Sequence, residues 1–171
     1  MKIDKKKLVI ILSLMVISGI YGFIYETIFY RIDLGYFVKR GSTFGPWIPI
    51  YAFGSALIYL TTNKYKSSPL KIFLISGICS GLLEFLTGYL LLKIANLRLW
   101  DYNNEIWNFG NINGFVCLRS ILFFAISGLI LVYLIVPFIE KIYKKIPKPL
   151  TIVSYILCSI FMIDYMINIF I

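Results

Sequence analysis

Residues Leu8–Tyr30 read LVIILSLMVISGIYGFIYETIFY, an apolar run of 23 residues in which Glu26 is the single charged side chain. About 20 apolar residues are enough for a helix to cross the hydrocarbon core of a bilayer. The run follows a basic start, as in a signal peptide, but it is far longer than an h-region of about 7–15 residues and no A-x-A-like site follows. It therefore predicts a first transmembrane helix that is retained.

Four further apolar windows have the length of a membrane span, although the second is short. Its Pro46 and Pro49 are placed in the first helical turn, where a missing amide donor costs nothing. The predicted fold is all-α, a polytopic transmembrane bundle of about five helices in a single membrane domain, residues 1–171. The predicted spans are 8–30, 46–62, 72–92, 115–139 and 150–171.

Composition supports a lipid environment over a soluble fold. Hydrophobic residues make up 60% of the chain and charged residues 15%, whereas soluble domains carry about 25% charged residues. Basic residues lie between the apolar runs, eleven on the side of the N-terminus and five on the other. This bias predicts that the N-terminus is inside and the C-terminus outside. It also explains the net charge of +9 without nucleic acid, so the predicted partner is the lipid bilayer.

The sequence predicts no metal site, disulfide or cofactor. It contains no histidine, and Cys79, Cys117 and Cys158 are too far apart for a CxxC pattern. No GxxxxGK[ST] motif occurs, so the chain itself is not expected to hydrolyse a nucleotide.

Four ionisable residues fall inside or at the ends of the predicted spans, where each costs roughly 2.5–3.5 kcal/mol at mid-helix and commonly marks a pathway or an internal pair. With the predicted orientation, all four lie toward the outer leaflet. Glycine spacing places two of the acids, Glu26 and Glu84, on the faces of their helices that pack against other helices. The four residues are Glu26, Glu84, Arg119 and Asp164.

Two interpretations of these groups remain open. Glu84 and Arg119 are predicted to interact, either as a structural pair that locks the bundle or as part of a functional site. The acids outnumber the local arginine, which favours protonation, solvation or a cation at some of them. Asp164 is the weakest member, because near the chain end it can simply be interfacial.

The two predicted outer loops, 31–45 and 93–114, are long. The second is rich in aromatic and asparagine residues, including Trp100, Asp101, Tyr102 and Asn111. Loops of this length are usually functional or disordered, and aromatic composition argues against disorder. The alternative is an interfacial segment whose aromatic rings sit in the membrane belt, which is the better interpretation for Trp107.

Four blocks of this outer region form an ordered pattern: GFIYETIFY from Gly22, RGSTFGPWIPIYAFG from Arg40, LEFLTG from Leu83 and LWDYNNEIWNFGNINGFVCLRS from Leu99. Together they resemble the Putative ABC-transporter type IV (CmpB-type) family, over about 19–142, with the fifth helix outside. The resemblance implies a multi-pass, permease-like protein of the cell membrane. Phe115 and Ile48 depart from the family pattern, where an arginine and a cysteine are usual. The matching positions are Glu26, Gly45, Pro46, Pro49, Tyr51, Glu84, Trp100, Asp101, Tyr102, Asn111, Gly114 and Ser120.

The leading functional hypothesis is a transport or substrate-capture membrane component with a polar pocket that opens to the outer face. The partner hypotheses are a separate ATPase subunit and a second copy of the chain in a homo-oligomer, although the short cytoplasmic loops argue against a conventional ABC permease. Alternatives are an intramembrane enzyme for lipid or envelope precursors, with Glu84 or Asp101 as general base and Arg119 holding phosphate, and a non-catalytic assembly or sensory partner. Predicted substrate-binding residues are Glu26, Glu84, Trp100, Asp101, Tyr102, Asn111 and Arg119.

Overall fold

The computed structural model of the chain describes residues 4–170, and the predicted all-α class is confirmed: within that range there are five main helices and no strand beyond one isolated β-bridge. Lys2, one of the eleven basic residues on the side of the N-terminus, and Ile171, the end of the predicted fifth span, lie outside the described residues. The helices are α1 Lys5–Leu34, α2 Pro49–Thr62, α3 Pro69–Ala95, α4 Leu118–Lys145 with a π-helical stretch at Leu131–Ile135, and α5 Pro147–Phe170.

Local sequence signals set the helix ends. Pro49 and Pro69 occupy the start of α2 and α3, where the missing proline N–H would have no helical partner. Asp4 caps α1 by accepting a hydrogen bond from the Lys6 backbone. Gly35 ends α1 in the left-handed conformation, with φ of +81°, which glycine adopts without steric cost.

Four helices, α1, α3, α4 and α5, are long and apolar enough to cross a membrane. By contrast, α2 has 14 residues and is about 21 Å long, against a hydrocarbon core of about 30 Å. The prediction of a second span over 46–62 is therefore wrong at its beginning. The helix begins at Pro49, and Pro46 lies in irregular chain before it.

This irregular segment enters the bundle instead of staying above it. The Ile48 N–H donates to the Gly19 carbonyl, 3.0 Å away in the middle of α1. Gly19 permits the approach, because a Cβ there would lie 3.1 Å from Trp47 Cβ. Thr43, which is 1% exposed, donates to the Trp47 carbonyl at 2.7 Å. Irregular backbone is tolerated at membrane depth when it is buried in protein and its polar groups are paired.

Asp164 of α5 holds the same segment in place. Its carboxylate accepts hydrogen bonds from the backbone N–H groups of Phe44 at 2.9 Å and Gly45 at 2.8 Å, and from Trp47 Nε1 at 2.6 Å. Asp164 is only 9% exposed. The interpretation of this residue as merely interfacial is therefore wrong, because it positions the chain that leads into α2.

The two ends of the bundle differ in packing. The closed end, at the beginning of α1 and at the 63–68 turn, has an apolar core that joins α1, α2, α3 and α4. The cavity end lies at the other ends of α1 and α3 and at the beginning of α4. The core of the closed end consists of Ile10, Leu14, Ile58, Tyr59, Ile72, Leu131, Val132, Val136 and Ile139.

Candidate functional site

A cavity of about 550 Å³ occupies the cavity end, within the range of about 300–1,000 Å³ typical of small-molecule sites. It lies where α2 is too short to fill the space between α1, α3 and α4. The loop between α3 and α4 and the segment before α2 complete its walls. Exposed side chains, Lys39 and Leu97, lie on its rim.

Two ion pairs line the cavity. Arg40 binds Glu26 at 3.0 Å, and Arg119 binds Glu105 at 2.5 Å. The Glu105 side chain is 5% exposed and that of Glu26 is 17% exposed. Both guanidinium groups also lie over aromatic rings, Arg40 at 3.7 Å from the Tyr30 ring centre and Arg119 at 4.1 Å from that of Phe29. Such cation–π contacts add to the ion pairs.

Glu105 also connects the α3–α4 loop to α1. Tyr30 donates its phenol hydrogen to the Glu105 carboxylate. One residue further on, the Ile106 N–H donates to Asp33 Oδ1 at 3.2 Å. The loop is thereby fixed over the cavity.

Glu84 has no cationic partner within salt-bridge distance among the described residues. It is 4% exposed, and its Oε1 accepts a hydrogen bond from the Tyr102 hydroxyl at 2.6 Å. Burial and the nearby Glu84 carboxylate raise the pKa of Tyr102 well above its ordinary value, so this phenol stays protonated and donates. Within residues 4–170, the other oxygen, Glu84 Oε2, is buried without a hydrogen-bond partner, and so is Arg119 Nη1.

The predicted contact between Glu84 and Arg119 is therefore wrong as an ion pair. Arg119 forms its ion pair with Glu105 instead. The reason is positional: Glu105 lies on a loop that folds back over the beginning of α4, whereas Glu84 is engaged by Tyr102. The two residues still line the same cavity.

The remaining predicted site residues lie on the α3–α4 loop, and only some of them line the cavity. Trp100 lines the cavity and donates from Nε1 to the Phe115 carbonyl at 2.9 Å. Asp101 pairs with Arg98 at 3.3 Å and accepts from the Asn103 N–H. Asn111 donates to Asn103 Oδ1 at 2.7 Å and accepts from the Gly114 N–H at 2.8 Å. Neither Asp101 nor Asn111 lines the cavity; both shape the loop.

The structure thus brings together five of the seven predicted residues and adds others that sequence reasoning missed. Arg40 enters the sequence-based predictions only through the basic bias and as the first residue of the RGSTFGPWIPIYAFG block. Glu105 is absent from the sequence-based predictions, although it is an acid directly followed by the apolar residues Ile106 and Trp107. The five predicted residues that line the cavity are Glu26, Glu84, Trp100, Tyr102 and Arg119.

The acids of the cavity do not form a metal site: among residues 4–170, no three His, Cys, Asp or Glu side chains cluster closely enough to hold an ion. The cavity instead offers carboxylates, guanidinium groups and aromatic rings.

Similarity to known proteins covers nearly the whole chain at the level of the family. The model of the family described as Putative ABC-transporter type IV matches residues 13–169. The match includes nearly all of α5, so the expectation that the fifth helix lies outside the family pattern is wrong. No curated protein and no solved structure matches the chain.

Proposed function

The chain belongs to the Putative ABC-transporter type IV family, and from this premise we propose that it is the membrane subunit of a transport system that captures its substrate in the 550 Å³ cavity. With the predicted orientation, the cavity opens to the outer face of the cell membrane. A separate ATPase is the proposed source of energy, because no GxxxxGK[ST] motif occurs in this sequence.

The observation that carries the proposal is the state of Glu84. A buried carboxylate without a cationic partner is unfavourable and is rarely retained inside a membrane protein unless it serves a ligand or a pathway. Glu84 lies in the wall of a cavity of ligand size, and Tyr102 orients it. Structural pairing accounts for Glu26 and Glu105 but not for this group.

Native mass spectrometry of the purified protein tests the proposal by detecting any small molecule that copurifies. Thr87 lines the cavity, so Thr87→Trp is expected to displace that molecule. Ile126 is 52% exposed on α4, so Ile126→Trp is a matched control that should retain it. A molecule bound equally by both variants, or none bound to the wild type, argues against capture in this cavity. A bound molecule recovered in chemically altered form favours the enzyme alternative.

Pull-down from membranes tests the ATPase partner separately. The closed end presents the basic residues of the 63–68 turn and of the end of α4, Lys64, Lys66, Lys144 and Lys145. We expect an ATPase to be cross-linked through this end. Recovery of the chain without any nucleotide-binding protein contradicts this part of the proposal and leaves substrate capture to be judged by the first test.

A further inference from the structure

The cavity has no formal net charge. Six charged side chains line it, three acids and three bases, and four of them form the two ion pairs. The remaining base, Lys39, is exposed at the rim and can be solvated, whereas the remaining acid, Glu84, is buried. The acids are Glu26, Glu84 and Glu105, and the bases are Lys39, Arg40 and Arg119. A ligand that carries no net charge preserves this balance.

The two unpartnered atoms of the site require opposite chemistry. Glu84 Oε2 accepts hydrogen bonds and favours a positive group, while Arg119 Nη1 donates and favours a negative one. A simple amine would satisfy the first and leave the second unpaired. A simple carboxylate or phosphate would do the reverse and would place a negative charge beside the buried acid.

Both groups contact one aromatic residue, which sets their separation to the scale of a small molecule. The Arg119 guanidinium carbon is 5.4 Å from the centre of the Tyr102 ring. The hydroxyl of the same ring is 2.6 Å from Glu84 Oε1. The carboxylate and the guanidinium thus lie around a single phenol ring.

We infer that the ligand is a zwitterion, whose ammonium group binds Glu84 and whose anionic oxygen binds Arg119 Nη1. This inference rests on the proposed function, since it names the substrate class of the same cavity. Aromatic walls, which include the stacked rings of Tyr25 and Phe123 with centres 4.0 Å apart, provide apolar contact and a face for the ammonium group.

Two sources supply this chemistry, soluble amino-acid-like molecules and the headgroup of a zwitterionic phospholipid. An apolar second cavity of about 180 Å³ lies between α1, α2 and α4 and shares Tyr51 and Phe124 with the first. It is suited to an acyl chain, so both sources are tested.

In the first arm, purified protein in a non-ionic detergent is titrated with three probes that share a phenylalkyl skeleton: phenylalanine, phenethylamine and 3-phenylpropanoate. Thermal stabilisation is the readout. We expect phenylalanine to reach half-saturation at a concentration at least about tenfold lower than either singly charged probe, because it alone satisfies both atoms.

Charge-neutralising variants show whether Glu84 and Arg119 set this preference. Glu84→Gln should shift it toward 3-phenylpropanoate. The double variant Glu105→Gln with Arg119→Gln removes the ion pair as a unit, which avoids leaving Glu105 unpaired, and should shift it toward phenethylamine. Glu140 pairs with Lys6 at the closed end, so Glu140→Gln is the matched control and should keep the wild-type preference.

In the second arm, the protein is reconstituted in nanodiscs of mixed phosphatidylethanolamine and phosphatidylglycerol, and retained lipid is identified by native mass spectrometry. Selective retention of phosphatidylethanolamine that Glu84→Gln abolishes assigns the lipid source. Selective phenylalanine binding in the first arm assigns the soluble source.

The zwitterion inference is overturned if a singly charged probe binds as well as phenylalanine. It is also overturned if the charge-neutralising variants leave the preference unchanged. The absence of selective binding in both arms overturns it as well. In each case, a copurifying molecule that Thr87→Trp displaces still supports the proposed function, so the two failures are distinguishable.

Discussion

The closed end and the cavity end are built from the same helices but satisfy their residues differently. At the closed end, Ile10, Leu14, Ile72 and Val136 are at most 1% exposed and pack without polar groups among them. At the cavity end, buried acids and arginines pair with each other and with tyrosine hydroxyls. The contrast follows from the shortness of α2. This helix begins at the level of Gly19, in the middle of α1, and leaves the cavity end to irregular chain.

This difference sets an apolar end of the bundle against an end that depends on paired polar groups. Apolar contacts hold the core of the closed end. The cavity end carries the costly groups, each of which needs a partner or a ligand.

The largest effect concerns which side of the membrane each end faces, and we expect all-or-none labelling. In a background without the three native cysteines, Tyr36→Cys and Asn104→Cys at the cavity end should react with an impermeant thiol reagent in intact cells. Ser67→Cys and Lys144→Cys at the closed end should react only after lysis, because the basic bias predicts that this end is cytoplasmic. All four positions lie in turns, in loops or at a helix end, and all are exposed. The reverse pattern would move the cavity to the cytoplasmic face.

Removal of one member of an ion pair should cost far more at the cavity end. Arg119→Gln leaves the 5% exposed Glu105 uncompensated, so we expect the free energy of unfolding to fall by about 3 kcal/mol. Lys6 and Glu140 at the closed end are 36% and 30% exposed, and Glu140→Gln should cost less than about 1 kcal/mol. Unfolding in a detergent series measures both.

The double variant Glu105→Gln with Arg119→Gln is the control for this comparison. It should recover much of the loss, since the two charges disappear together. Additive losses would show that the guanidinium stabilises the bundle through Phe29 or Tyr102 and not through Glu105.

Two helix glycines provide a smaller contrast. A Cβ on Gly22 would overlap the buried Tyr51 ring, which lines the cavity, whereas a Cβ on Gly54 would meet Leu83 at an ordinary 3.6 Å. Gly22→Ala should therefore destabilise the protein by about 1–3 kcal/mol. Gly54→Ala should be neutral or stabilise it by up to about 1 kcal/mol, because alanine is the better helix former. Similar melting temperatures for both variants would mean that Tyr51 moves aside freely.

The long helices could be predicted from sequence because each one depends on an uninterrupted apolar run. The beginning of α2 could not, since 46–48 is apolar like the helix that follows, and what keeps it irregular is tertiary: the Gly19 carbonyl and the Asp164 carboxylate take its hydrogen bonds. The same holds for the site. Their positions along the helices predict that Glu84 and Arg119 lie at the same depth, and both line one cavity. The partner of Arg119 is Glu105 of the α3–α4 loop, and the path of a loop cannot be predicted from helical periodicity.

A small change in stability is expected for the residue on which the proposed function depends most. Glu84→Gln keeps an acceptor for the Tyr102 hydroxyl and removes a buried charge that has no cationic partner. We expect the free energy of unfolding to rise by roughly 1 kcal/mol, while ligand capture is lost.

The same substitution at Glu26 is the matched control for this last comparison. Glu26→Gln deprives Arg40 of its partner at 3.0 Å, so stability should fall by about 1.5–3 kcal/mol, as for the loss of a charged hydrogen bond. Melting temperatures and copurifying ligand are measured on both variants. A stable Glu84→Gln protein that has lost its ligand means that the carboxylate is retained for binding at a cost in stability. If Glu84→Gln is as unstable as Glu26→Gln, then Glu84 supports the fold, and the cavity end is an assembly of structural pairs like any other buried network.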